Sequence, residues 1–310
     1  MNVWRLTINT AARDGVDPRR FCFERKILGV GWPVDEDGPL DWGSYERLGT
    51  EKYYPQDNGW WPALNAIGNR MREGDLCWSR DRSGCYYLGR VDGPWEYQSG
   101  GDYRAADVVN VRSCRWVRMG AEDSVPGKVL NSLRASRTLQ AVHDDSVRIY
   151  SMLAYNQAAG KPVYEVSAAT GPSDLFALVS PEDCEDILGV YLQEVHGYRL
   201  IPSTRRRDTF KTEFVLRKPG SKALVQVKQG DITLDRGDFA HDHEGRCEWF
   251  LLSTGGSYEG DDVRHVHCLD PDTLRDFAVE NVELMSDRVR RMVEFCDRIG
   301  RASGSNREER

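Results

Sequence analysis

The sequence predicts an α+β chain of two modules: a small N-terminal β-barrel with one helix, then an α/β module in helix–β–β–β–helix order. Three observations predict it. Eight of the nine tryptophans (Trp4, Trp32, Trp42, Trp60, Trp61, Trp78, Trp95 and Trp116) precede residue 117, and only Trp249 follows. All six histidines lie at or after His143. Between these regions "VSAATGPSD", residues 166–174, is small and polar with a Gly-Pro break, as linkers are. The modules are therefore expected over 1–165 and 172–300. The charged "RASGSNREER", 301–310, is expected to be a disordered tail.

In the first module "VWRLTI" and "KILGVGW" read as short strands, rich in β-branched and aromatic residues. "DLCWSRDRSGCYYLGRV" reads as a hairpin around Asp81–Gly84. "WWPALNAIGNRMREGD" between them reads as a helix stopped by Gly74.

The second module opens with "SPEDCEDILGVYLQEVHGY". Ser180 is its N-cap, Pro181 takes the first helical position and Gly197 is the stop. Cys184, Ile187, Leu188, Tyr191, Leu192 and Val195 recur at the spacing of a core-facing stripe. Two apolar runs in "TEFVLRKPGSKALVQVKQG", residues 212–230, follow as strands around Pro219-Gly220. "EWFLLST" and the shorter "VRHVHCL" are further strands, and "DPDTLRDFAVEN" is a capped helix.

At 310 residues the chain can bury proper cores without staples. Its 40% hydrophobic and 29% charged residues, with mean hydropathy −0.59, are ordinary for globular proteins. No run approaches the roughly 18 apolar residues of a membrane span. With no secretory pattern at the N-terminus, a soluble cytoplasmic protein with no membrane partner is expected. Eight cysteines without a CxxC pair fit reduced core thiols better than a disulfide framework. A net charge of −7 argues against general adhesion to nucleic acid, but not against a local basic footprint. Two such footprints exist, Arg205-Arg206-Arg207 and the group Arg112, Arg115, Arg118, Lys128, Arg134 and Arg137. Each reads equally as a solvated face.

The two runs around Pro219-Gly220 carry polar groups where core strands should have none. Gln226 and Lys228 share one strand face, with Val225 and Val227 on the other. In an antiparallel hairpin a two-residue loop places Glu213 opposite Gln226, and a four-residue loop places it opposite Lys228. Pro-Gly suits type I and II turns, which favours the longer loop. Either way Glu213 lands on the Gln226/Lys228 face. Asp208, five residues earlier, would face the other side. On the preceding helix Glu185 lies about 20° from Leu192 on the wheel, at the border of the core stripe, whereas Glu182 points about 80° out. Carboxylate, amide and amine on one face suit a divalent metal that also takes phosphate.

With its preceding helix, "GYRLIPSTRRRDTFKTEFVLRKPGSKALVQVKQG" resembles the core of PD-(D/E)XK nucleases. It is most similar to Mrr-like restriction endonucleases, whose second motif reads Gln-x-Lys, as "QVK" does here. The resemblance covers about residues 178–285 and implies an α/β restriction-endonuclease-like domain. It implies Glu213 as the first acid, Gln226 and Lys228 as the second motif, and Glu185 as the helix acid. Mg²⁺ or Mn²⁺ would be held by Glu213, Gln226 and Glu185. The first acid of that family is normally Asp in a Gly-rich setting, and "KTEF" departs from this.

"ILGVGW", "DNGWWPALNAIG" and "GDLCWSRDRSGCYYLGRVDGPWEY" resemble a PUA-like domain of the EVE/YTH kind, over about residues 1–155. Such domains accept a flipped or modified base in an aromatic cage. The resemblance implies Trp32, Trp60, Trp61, Trp78 and Trp95 as cage candidates, although most tryptophans of a small barrel are core. Together the two resemblances imply a modification-dependent, type IV-like DNA endonuclease of anti-phage defence. A non-catalytic reader and an RNA-directed nuclease stand as alternatives. Arg205, Arg206 and Arg207 would contact the DNA backbone. A homodimer is expected, because double-strand cutting by single-site nuclease folds calls for two active sites. A competing zinc reading of His241, His243, Cys247, His265, His267 and Cys268 fits no common zinc spacing.

Overall fold

The computed structural model describes residues 1–8, 10–13, 15–134, 137–166, 174–204, 212–240 and 247–304, with side chains to residue 298. The chain divides into two compact units, Met1–Gly171 and Pro172–Arg310. Both are mixed α and β.

In the first unit β1 (Val3–Leu6), β2 (Ile27–Val30), β3 (Leu76–Arg80), β4 (Tyr86–Tyr97), β5 (Asn110–Gly120) and β6 (Leu139–Val142) form one sheet. The strand order is β2-β5-β4-β3-β1-β6. β1 runs parallel to β3, and the other neighbours are antiparallel. The expected barrel is not closed. Among the described residues no ladder joins the edge strands β2 and β6, and closure needs one.

Among the described residues six helices accompany this sheet, more than the single one expected: α1 (Pro18–Arg25), α2 (Trp42–Tyr53), α3 (Trp60–Asn65), α4 (Gly101–Ala106), α5 (Gly127–Arg134) and α6 (Asp145–Ala159). α2 hides its character behind Gly43 and Gly49, which are poor helix formers. Gly49 is needed for packing, since a Cβ there would lie 2.7 Å from the Trp60 ring. The long helix read over 60–75 is shorter than expected: α3 passes into a π-turn over Ala66–Arg70, ahead of Gly74. Arg112 secures that turn from β5. Its Nε donates to the Ile67 carbonyl at 2.6 Å, Nη2 to Gly68 at 3.2 Å and Nη1 to Gly93 at 2.9 Å. Three of the six cations in the basic stretch 111–137 are thus engaged within the fold. Arg112 is buried, Arg115 pairs with Asp92 and Lys128 with Asp144.

The second unit starts with α7 (Leu175–Leu178) and α8 (Pro181–Glu194). Ser180 caps α8 as read from sequence, and a reciprocal bond from its own N–H to Asp183 completes a capping box. β7 (Arg199–Leu200), β8 (Phe214–Lys218) and β9 (Ser221–Lys228) form an antiparallel meander. β10 (Leu234–Asp235), β11 (Cys247–Ser253), β12 (Tyr258–Glu259) and β13 (Val266–Cys268) follow, then α9 (Pro271–Glu280) and α10 (Asp287–Gly304). The main sheet runs β13-β11-β9-β8-β7, with β11 parallel to both β9 and β13. β10 and β12 make a separate small ladder. α10 was not foreseen, and it continues to Gly304, past the expected start of the tail at 301.

The sheet has two unlike faces. Phe214, Leu216, Val225 and Phe250 face the helices: Gly189 of α8 sits against the Phe214 ring, and Tyr191 meets Phe277 of α9 edge-on. On the other face Leu224, Trp249, Leu251 and Val266 pack with Leu234 and Phe239 from the β9–β11 crossover. Among the described residues no helix is long and apolar enough to cross a membrane, and all eight cysteines are free thiols.

Candidate active site and base-binding site

The β8–β9 turn uses two residues, not the four that the sequence favoured. Lys218 pairs with Ser221 and Phe214 with Val225, so Glu213, one residue before β8, lies beside Gln226 and not opposite Lys228. Gly220 at φ +77° after Pro219 supplies the positive φ that a type II turn demands. Contacts outside the hairpin brace it there. The Tyr198 and Ser221 hydroxyls are 3.0 Å apart, and the Lys218 ammonium lies 4.3 Å from the Tyr198 ring centre. The same ammonium donates to the His196 carbonyl at 3.2 Å.

This register builds a compact polar group. The Glu213 N–H donates to the Val225 carbonyl at 2.9 Å, which fixes Glu213 at the mouth of the hairpin. Gln226 is 3% exposed, and its Nε2 donates to Glu213 Oε1 at 2.7 Å and to the Val227 carbonyl at 3.3 Å. Among the described residues Gln226 Oε1 accepts no hydrogen bond. Lys228, half-buried, follows on the same face two residues on. Glu185 is half-buried on α8, the helix against the opposite face. Gln229 donates to the Phe176 and Val179 carbonyls at 2.6 and 2.8 Å, holding the start of α8 at the Lys228 end of β9.

Among the described residues no group of three His, Cys, Asp or Glu side chains could hold a metal ion by itself. One carboxylate and one amide oxygen, Glu213 and Gln226, are a sparse set for a hard cation. Mg²⁺ tolerates such a set, because waters and substrate phosphate complete its octahedron. The residues fit an ion that arrives with phosphate, not a preformed cage. The zinc reading finds no convergence among the described residues. His267 pairs with Glu248 at 2.6 Å on the helix face, while Cys247 and Cys268 lie on the other face. His241, His243, Asp208 and Arg205-Arg206-Arg207 lie outside the described residues.

In the first unit the tryptophan candidates separate by burial. Trp78 is fully buried with its indole N–H donated to Ser151 at 3.0 Å, so it is core and leaves the cage set. Trp60 is 3% exposed, packed on Gly49 and Tyr53. Its indole N–H makes no hydrogen bond, although it lies close enough to Tyr45 to influence that hydroxyl. Trp32 and Trp95 are half-buried, and Trp61 is exposed.

Trp32 has φ +67°, a left-handed backbone that bulky residues rarely adopt. Several bonds hold it there. The Tyr45 hydroxyl donates to the Trp32 carbonyl at 2.8 Å, and the Trp32 indole donates to Asp57 Oδ2 at 2.7 Å. Asn110, fully buried on β5, donates to the Gly31 carbonyl at 2.6 Å and to the Tyr45 hydroxyl at 2.8 Å. Its Oδ1 accepts from the Trp95 indole at 3.2 Å. Burial pushes the Tyr45 hydroxyl well above the usual phenol range, so it stays protonated and donating. Trp42 completes the group, edge-on to Trp95 at 5.0 Å, over Gly68 where no Cβ would fit.

Sequence reasoning missed Trp42, Tyr45 and Asn110. Asp41, the N-cap of α2, was the available signal for the first two. Asn110 had none, because a polar residue at a strand start reads as solvent-facing.

Comparisons add no relative. No family model, no curated protein and no solved structure matches this chain.

Proposed function

We propose that the chain is a modification-dependent DNA endonuclease of the type IV restriction kind, acting in anti-phage defence. In this reading the first unit is a PUA-like reader that admits a modified base, and the second is an Mrr-like PD-(D/E)XK module that cuts the backbone. The observation that carries it is the hydrogen bond from buried Gln226 to Glu213, with Lys228 two residues further along β9 on the Gln226 face.

Mg²⁺ held by Glu213 and Gln226 would neutralise phosphate charge and acidify a water. Glu185, the helix acid that the resemblance implies, is on α8 against the opposite sheet face and is not part of this pair. Lys228 supplies a fixed positive charge, which stabilises negative charge growing on the phosphate or orients the attacking water. Buried Gln226 positions the Glu213 carboxylate through their shared hydrogen bond. In the reader, the strained and braced Trp32, with Trp95, Trp42 and Trp61, offers aromatic faces for stacking, and Trp60 lines the layer beneath. Such strain at a constrained residue is a recurrent mark of function. Cutting both strands calls for a homodimer.

The test is incubation of the full chain with Mg²⁺ and matched DNAs carrying different modified cytosines. Cleavage of one modified DNA and not of plain DNA supports the reading. Equal treatment of all of them refutes it. A non-catalytic reader is the second reading, favoured by the sparse donor set at Glu213 and Gln226, one carboxylate and one amide among the described residues. RNA replaces DNA as the partner if RNA alone is bound or cut.

A further inference from the structure

The sheet face that carries Glu213, Gln226 and Lys228 also carries a row of cations at its other end. Arg199 on β7 is directly opposite Arg217 on β8, and Arg217 is directly opposite Lys222 on β9. Register alone therefore aligns three positive side chains across three adjacent strands. With strands about 4.8 Å apart the row is about 10 Å wide. Lys222 precedes Gln226 by four residues, about 13 Å along the strand.

Like charges directly opposite each other destabilise a sheet. No carboxylate among the described residues is interleaved to relieve it. Among the described residues neither Arg199, Arg217 nor Lys222 makes an ion pair, and the one hydrogen bond of the three runs from Arg199 Nη1 to the Tyr198 carbonyl at 3.1 Å. Arg199 and Arg217 are exposed and Lys222 is half-buried. Lys218, at the same end, is on the helix face and is occupied by His196 and Tyr198. The row thus concentrates charge in a chain whose net charge is −7.

We propose that Arg199, Arg217 and Lys222 form a phosphate-backbone contact, which seats the nucleic acid on the same sheet face as the Glu213–Gln226–Lys228 group. This rests on the reading of the second unit as a nucleic-acid-handling module. Duplex DNA carries one charge per about 1.7 Å of axis, so a row of this width meets several phosphates. Backbone contacts carry no sequence information, so the row would serve plain and modified DNA alike.

The test compares the full wild-type chain with the triple variant Arg199→Ala/Arg217→Ala/Lys222→Ala and with Lys228→Ala. Binding of a plain duplex is measured in EDTA between 50 and 200 mM salt. Each lost phosphate contact should flatten the log K against log salt slope by about 0.9. The triple variant should then be roughly 40-fold less salt-sensitive over that range, while Lys228→Ala keeps the slope of all three row contacts. A wild-type slope no steeper than that of the triple variant overturns the proposal. Arg217→Glu adds a readout without DNA: it should melt higher than wild type, because it interleaves an acid between Arg199 and Lys222. A lower melting point would mean that the row is already balanced within the chain, and would also overturn it. Failure of the nuclease reading shows elsewhere, as Lys228→Ala protein that still cuts modified DNA with Mg²⁺.

Discussion

Asn110→Ala should damage the first unit more than any surface substitution, through the backbone of Trp32. Asn110 is fully buried and serves three partners. Alanine leaves the Gly31 carbonyl without the amide that now reaches it at 2.6 Å, and an unsatisfied buried acceptor costs about 1–3 kcal/mol. The lost bond to Tyr45 adds about 1 kcal/mol, while Tyr45 itself keeps the Trp32 carbonyl as acceptor. Half-buried Trp95 can turn its indole N–H to water, so its loss adds little. The sum is about 2–4 kcal/mol, or roughly 4–16 °C in melting temperature for a unit of this size. Tryptophan fluorescence during urea unfolding is the assay, because eight of the nine tryptophans lie in this unit. Base binding should fall further than stability does at low denaturant, since Trp32 loses the frame that holds φ +67°. A loss below about 1 kcal/mol would refute the reasoning, for it would mean that water replaces the amide without cost.

Other expectations follow from the same geometry. Trp78→Ala should cost about 3–5 kcal/mol of stability as a core truncation. Trp32→Ala should instead weaken binding of the modified base by about 1–3 kcal/mol with melting nearly unchanged, and equal melting losses in the two would undo the distinction between them. Lys228→Ala should abolish cleavage while leaving circular dichroism and DNA binding intact; wild-type turnover would remove the active-site assignment. Glu213→Gln should lower Mn²⁺ affinity measured by calorimetry in the presence of DNA, and unchanged affinity would show that the ion is held elsewhere. For His196, burial, then Lys218, then His267 lower the imidazole pKa from 6.5. The native state therefore favours the neutral ring. Its contribution is complete above 6.5 and is lost as pH falls through the depressed folded value. His196→Gln should flatten the loss of stability below pH 6.5, and an unchanged profile would assign that acid sensitivity to other groups.

Sequence by itself determined the features that depend on short-range chemistry. Ser180 and Pro181 specify the start of α8, because a cap needs only neighbours three residues away. Strand parity put Glu213, Gln226 and Lys228 on one face, and parity survives any even change of register. It could not choose between the two- and four-residue turns. That choice rests on Tyr198 and His196, which grip Lys218 and Ser221 from outside the hairpin. The cation row has the same origin, since only the β7–β8–β9 register sets Arg199, Arg217 and Lys222 side by side. Composition singled out the tryptophans but could not rank them, because burial depends on neighbours far along the chain. Trp78 meets Ser151, and Trp95 meets Asn110. Barrel closure is likewise a tertiary matter: whether β2 and β6 meet depends on sheet curvature, to which no single strand sequence is bound.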